Sequence, residues 1–253
     1  VIFCKATSIA LLVVAWLSTC AGVCPASQAG TPPPWVCPEA ETLRYLVAYG
    51  PVLGAELTLK TEKTENGSWR FTGHCRSRGA VELFYKIRSS VTTTTHGPLF
   101  LANEFYEDRS EGGHRYHRYQ FLDFRKRMGI WENYVSGHRK KLKVQGAAHD
   151  LLGVAYYVRG LPWEVGQSRL VSVFSDAAYH NLRFWCERRG VEQEGEFRGA
   201  ATLRLRCDDV FEQATRRDGK LEVIVLDRAD RLPVQLRLSV SWGTVVMRLC
   251  ERK

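Results

Sequence analysis

The sequence predicts a mainly β protein: one large curved antiparallel sheet, or incomplete β-barrel, wrapped around a single central helix. Three observations predict it. Beyond residue 40 most of the chain alternates apolar and polar residues with the two-residue period of strands covered on one face. Turn signals such as Asn66-Gly67, Ser136-Gly137 and Asp218-Gly219 separate the alternating runs at short intervals, which favours an antiparallel meander. One stretch stands apart. Residues 149–166, HDLLGVAYYVRGLPWEVG, read as a helix that Asp150 caps, Gly160 ends in a left-handed conformation, and Leu161-Pro162 stops. Leu151, Leu152, Val154, Ala155, Tyr156 and Val158 leave only Gly153, Tyr157 and Arg159 for a wet side, so this helix is expected to be mostly buried.

The strands follow in order. Residues 41–49 are apolar on both faces, as in a strand covered on both sides. In 55–63, Ala55, Leu57, Leu59 and Thr61 share one face, and Trp69, Phe71, Gly73 and Cys75 continue it after the turn. A two-residue Asn66-Gly67 turn sets apolar side chains against polar ones. A three-residue loop with Gly67 left-handed pairs Leu59 with Cys75 and keeps the faces matched. Val81, Leu83, Tyr85 and Ile87 then alternate as another strand, prolonged through 92–95. Strands are expected over 99–106 and 116–124, and a hairpin over 129–134 and 140–144. After the helix come 170–174, 182–186, 201–207, 221–226, 232–240 and 245–250, for a total of about ten to twelve.

The 253 residues suffice for one large β domain. At the N-terminus, Lys5 precedes an apolar run over 9–17 and then small residues, the layout of a secretory signal peptide over residues 1–19. The run is short for a membrane span, which needs roughly 20 apolar residues. Two processing routes stand open: a lipobox-like Leu17-Ser18-Thr19-Cys20, in which Cys20 is lipidated, and cleavage near Ala29. Both export the protein, to the periplasm or an outer-membrane-associated position. Residues 20–39 read as a proline-rich tether and 40–253 as one β-rich domain. The formal charge of +9 favours anionic partners, yet an exported chain rarely meets nucleic acid, and arginine spread over a solvated sheet face explains it as well.

The eight cysteines form no CxxC and no zinc-knuckle spacing, so disulfides or buried thiols are expected. Cys186 and Cys207 fall on comparable inner faces if the strands over 182–186 and 201–207 are neighbours, which makes them the first candidate disulfide.

Several pieces together resemble a bacterial exported family catalogued as domain of unknown function 3108. They are Glu41-Thr42-Leu43-Arg44-Tyr45, the run VELFYKI over 81–87, Asp150-Leu151-Leu152 through Tyr156-Tyr157-Val158-Arg159 to Leu161-Pro162-Trp163, and LDRADRLPVQL over 226–236. The segment 187–199 and the abundance of cysteine depart from that pattern. The resemblance implies a cell-envelope location and a large antiparallel sheet similar to periplasmic lipoprotein-carrier half-barrels. It brings no established active site.

No GxSxG, HExxH or phosphate-cradling glycine loop is present. His114 and His117 make a metal pair only on a helix, and their surroundings read as strand, so no metal site and no cofactor is expected. Asp150 beside His149 is explained by capping. What remains is binding: Tyr156, Tyr157 and Trp163 are the candidate lining of a ligand site near the concave face, with Arg159 placed to meet an anionic head group. The expected function is a non-enzymatic envelope protein that binds or carries an apolar or amphipathic ligand. An envelope enzyme using residues near His149 and Asp150, and a structural module for an envelope protein partner, are the alternatives.

Overall fold

The computed structural model describes residues 35–207, 220–240 and 243–253. The expected signal peptide, the first part of the tether, the lipidation at Cys20 and the Asp218-Gly219 turn fall outside the described residues. Among the described residues, fourteen strands form one antiparallel sheet. The first eight are β1 (Ala40–Tyr49), β2 (Val52–Lys63), β3 (Trp69–Ser77), β4 (Ile87–His96), β5 (Leu101–Glu111), β6 (His114–Asp123), β7 (Met128–Asn133) and β8 (His138–Lys143). The rest are β9 (Ser168–Ser175), β10 (Ala178–Val191), β11 (Ala201–Cys207), β12 (Lys220–Leu226), β13 (Pro233–Val240) and β14 (Gly243–Arg252). Among the described residues two helices interrupt them, α1 (Ala80–Phe84) and α2 (Leu151–Gly160).

The order across the sheet is β8-β7-β6-β5-β4-β3-β2-β1-β14-β13-β12-β11-β10-β9, so strands adjacent in the sheet are consecutive in sequence except where β1 meets β14. The chain therefore builds two meanders and joins them through its two ends. β8 and β9 remain edges and the barrel stays open. The segment before α2 bridges part of the gap: Ala102 N–H donates to Ala148 O, His149 N–H to Ser172 O, and Phe174 N–H to His149 O. Farther along, Arg118 on β6 pairs with Asp176 at 2.9 Å. A small core of Ala102, Leu122, Val144, Ala148 and Phe174 fills this seam, apart from the main one. Leu142 of β8 packs against this small core, but the rest of β8 (HRKKLK) is exposed. Charged side chains along such an edge oppose pairing with another chain.

The alternation read from sequence builds the main core. Leu43, Tyr45 and Val47 of β1, Phe71 and Cys75 of β3, and Leu203, Leu205 and Cys207 of β11 are buried in it, with α2 packed among them.

Three expectations need correction. The β2–β3 connection spans residues 64–68, with Lys63 opposite Trp69, so Leu57 and not Leu59 faces Cys75. Faces stay matched because the register differs by two, and Gly67 is left-handed as expected (φ 76°). Residues 81–85 are not strand: α1 turns the corner into β4, burying Val81 and leaving Leu83 and Phe84 more than four-fifths exposed. The Cys186–Cys207 disulfide is not formed. Register places Cys207 opposite Phe184 and Cys186 opposite Leu205. The two side chains share a face but sit diagonally, at roughly 7–8 Å in such a pair, too far for a disulfide. Both are thiols.

Candidate functional site

Helix α2 begins where the sequence places it. Asp150 Oδ1 accepts from the backbone N–H of Leu152 (2.9 Å) and Gly153 (2.8 Å), two donors that have no partner within the helix. Its other oxygen accepts from Thr93 Oγ1 at 2.5 Å, which ties the helix start to β4. The stop differs from expectation. Gly160 stays helical and Leu161 turns extended (φ −72°, ψ 143°), as the residue before a proline is driven to do.

The helix is buried almost all round, and the expected wet side is not wet. Gly153, Tyr157 and Arg159 are buried, whereas Ala155 is exposed. Ala155 lies on the wall of a cavity of about 120 Å³ between α2 and the sheet. Leu43, Leu59, Val154, Phe184, Leu205 and Leu236 are among the apolar side chains of the rest of that wall.

Of the four ligand-lining candidates, the structure brings Tyr156 and Arg159 to this cavity. Tyr157 and Trp163 do not line it. Tyr157 stacks on the His149 ring, with centroids 4.3 Å apart. Trp163 is buried and donates its indole N–H to Val158 O at 2.9 Å, bracing the end of the helix. Tyr156 stacks on Phe71 with centroids 4.0 Å apart and nearly parallel rings. Burial pushes its phenol well above the ordinary tyrosine value, and the nearby Thr61 hydroxyl offsets this only in part. Neither hydroxyl completes a hydrogen bond among the described residues.

Arg159 is not placed to meet a head group. Its two terminal nitrogens form a fork on Glu41, with Nη2 at 3.0 Å from Oε1, and its Nε donates to Asp230 O at 3.0 Å. Trp35 covers the guanidinium, 4.7 Å from the ring centre. Burial opposes the charge, but the hydrogen bonds and charge of Glu41 outweigh it, so Arg159 sits above its ordinary value. Arg252 extends the cluster, to Glu41 at 3.0 Å and to Asp230 at 2.6 Å. Sequence reasoning missed Glu41, which looks like the edge of an ordinary strand and lies 118 residues from its partner.

The His149-Asp150 pair offers little to a substrate. His149 is buried, its Nδ1 is 3.1 Å from Phe100 O, and burial pulls it down to about 4. Burial also pushes the Asp150 carboxyl up to about 6 against the pull of its hydrogen bonds. Their polar atoms serve the helix start. His117, on β6, is engaged with Tyr106 Oη. Among the described residues no three His, Cys, Asp or Glu side chains cluster as metal ligands, and no helix is long and apolar enough to cross a membrane.

One solved structure supports the architecture. A β-barrel-like protein of the domain of unknown function DUF1849 from Brucella abortus is similar over 85% of this chain and 97% of its own, with a TM-score of 0.56 and 8% identity. The hypothetical protein CT021 from Chlamydia trachomatis aligns over 83% of this chain and 86% of its own, with a TM-score of 0.37 and 6% identity. No curated protein matches the sequence. The family model described as "Protein of unknown function (DUF3108)" matches residues 44–249, and the chain belongs to that family.

Proposed function

We propose that this protein is a non-enzymatic component of the bacterial cell envelope that binds or carries an apolar or amphipathic ligand in the cavity beside α2. One observation carries the reading. A helix otherwise buried on every side leaves Ala155 exposed on an apolar wall, where close packing would normally place a larger side chain. An apolar cavity of this kind stays dry and accepts apolar guests; one of roughly 150 Å³ takes a benzene. At about 120 Å³ the space suits a segment of one acyl chain, with the polar end of the ligand outside. The ligand is held by apolar contact, because Arg159 is already spent on Glu41. Export to the periplasm, with or without an anchor at Cys20, belongs to the same proposal and rests on the N-terminal apolar run.

Titration with a fluorescent fatty acid tests it. The expected result is saturation at one probe per chain, displacement by an unlabelled medium-chain acid, and loss of both in Ala155→Phe with unchanged thermal unfolding. Equal binding by that variant contradicts the reading.

A further inference from the structure

The outer face of the second meander carries a feature that the apolar cavity does not explain. One row of directly opposed residues crosses five strands there: Arg188 on β10, Arg204 on β11, Ile224 on β12, Gln235 on β13 and Arg248 on β14. Three of the five are arginines, and Arg188 and Arg204 face each other directly. Like charges directly opposite across strands are destabilising, so a solvated sheet face gains nothing from this arrangement.

The row forms the floor of a cleft. Residues 192–200 fold into a compact loop, with Glu192 N–H donating to Ala200 O and Gly199 N–H to Glu192 O. Phe197 packs against the main core, and Glu194 reaches across to pair with Arg248. The loop therefore overhangs the sheet from β10 to β14, and the space beneath it is about 390 Å³.

The charges inside are unevenly satisfied. Arg204 has Glu222 at 3.4 Å and Arg248 has Glu194. Arg188 and Arg237, which both line the cleft, have no carboxylate within 4 Å among the described residues. Gln235, two residues before Arg237 on β13, also lines the cleft, is only 6% exposed, and has a side-chain amide that makes no hydrogen bond among the described residues. That amide opens onto the cleft, where a ligand can reach it, and not into the sealed interior. Arg188 and Gln235 stand in one row, roughly 14 Å apart across three strand spacings, and Arg237 lies two residues farther along β13.

We propose that this cleft is a second binding site, for a phosphate-bearing ligand, held by Arg188, Arg204 and Arg237 with the Gln235 amide beneath. Guanidinium forks converging from several directions match the oxygens of a phosphate, and an amide N–H completes the set. The volume exceeds a bare phosphate, so the ligand is a phosphate ester, either free or as a lipid head group. The site lies on the opposite face of the sheet from the apolar cavity and does not depend on it.

Calorimetric titration of the full chain at physiological salt tests this with two probes, pyrophosphate and vesicles of phosphatidylglycerol, with phosphatidylcholine vesicles as the blank. The expected result is saturable binding of at least one probe. Pyrophosphate binding marks a free ester, and vesicle binding alone marks a head group. The pair Arg188→Gln and Arg237→Gln should weaken binding at least about tenfold by removing charged hydrogen bonds. Lys140→Gln with Lys141→Gln, which removes equal charge from exposed β8, should leave it unchanged. Equal weakening by the lysine pair, or no saturable binding of either probe, overturns the proposal.

Discussion

Arg159, at the end of the central helix, grips Glu41 on β1 through both terminal nitrogens, and the two side chains are 3% and 4% exposed. This pair anchors the helix to the strand at which the two meanders meet. Removing one partner of a buried pair strands the other charge, so Glu41→Ala should cost about 3–5 kcal/mol. Replacing both, as Glu41→Leu with Arg159→Met, should recover most of the loss, because a packed apolar pair avoids the desolvation. Urea unfolding of the three variants checks both statements.

His149 and Asp150 give opposite pH dependences. The Asp150 carboxyl, raised from 3.8 to about 6, keeps a proton that the unfolded chain releases, so its contribution falls as pH rises through that window. His149, lowered from 6.5 to about 4, refuses a proton that the unfolded chain accepts, so its contribution is lost as pH falls from 6.5. The slopes largely cancel in the native protein. Asp150→Asn retains a good cap and removes one of them. Its stability should therefore fall between pH 6.5 and 4.5 by on the order of 2 kcal/mol more than the parent's. Urea midpoints at several pH values read this directly, and parallel curves for the two proteins contradict it.

Gly153 is set by close approach, not by flexibility. A Cβ there would stand 2.8 Å from Phe100 O and 3.3 Å from Asp150 Oδ2. The gain in helix propensity for alanine over glycine is about 1 kcal/mol. Pressing a methyl into a backbone oxygen costs about 1–3 kcal/mol, and the cap beside it is disturbed as well. Gly153→Ala should lower the thermal midpoint despite its better propensity.

The thiols should divide sharply by reactivity. Cys250 is exposed, whereas Cys37, Cys75 and Cys186 are buried. Burial pushes the Cys37 thiol up to about 12 and Cys75 well above its ordinary value. Alkylation followed by peptide mass mapping should label Cys250 in the native protein, and these other three only after denaturation.

Much of the fold was legible because its signals are local. Asp150 before an apolar run marks a helix start wherever the helix packs, and Leu203, Leu205 and Cys207 declare one face of a strand by period alone. The errors fall where a non-local choice decides. Val81, Leu83, Tyr85 and Ile87 alternate like a strand, but the chain must turn between β3 and β4, and a short helix there exposes Leu83 and Phe84. Cys186 and Cys207 share a face as read, yet pairing in register set them diagonally. The candidate site was legible only in outline. Tyr156 was found because an aromatic on a buried helix must meet something. Ala155 gave no signal, because an alanine beside a void and an alanine in a packed core look alike in sequence. Glu41 was hidden for the opposite reason, since its burial depends on an arginine 118 residues away.

An apolar ligand held in the space beside Ala155 should leave the native envelope together with the protein. Organic extraction and mass spectrometry of the protein purified from its native envelope, in parallel with Ala155→Phe, test it most directly. A single-chain acyl compound should be recovered near one per chain with the parent and be absent from the variant. Recovery of no such compound from the parent, or of equal amounts from both, would contradict it.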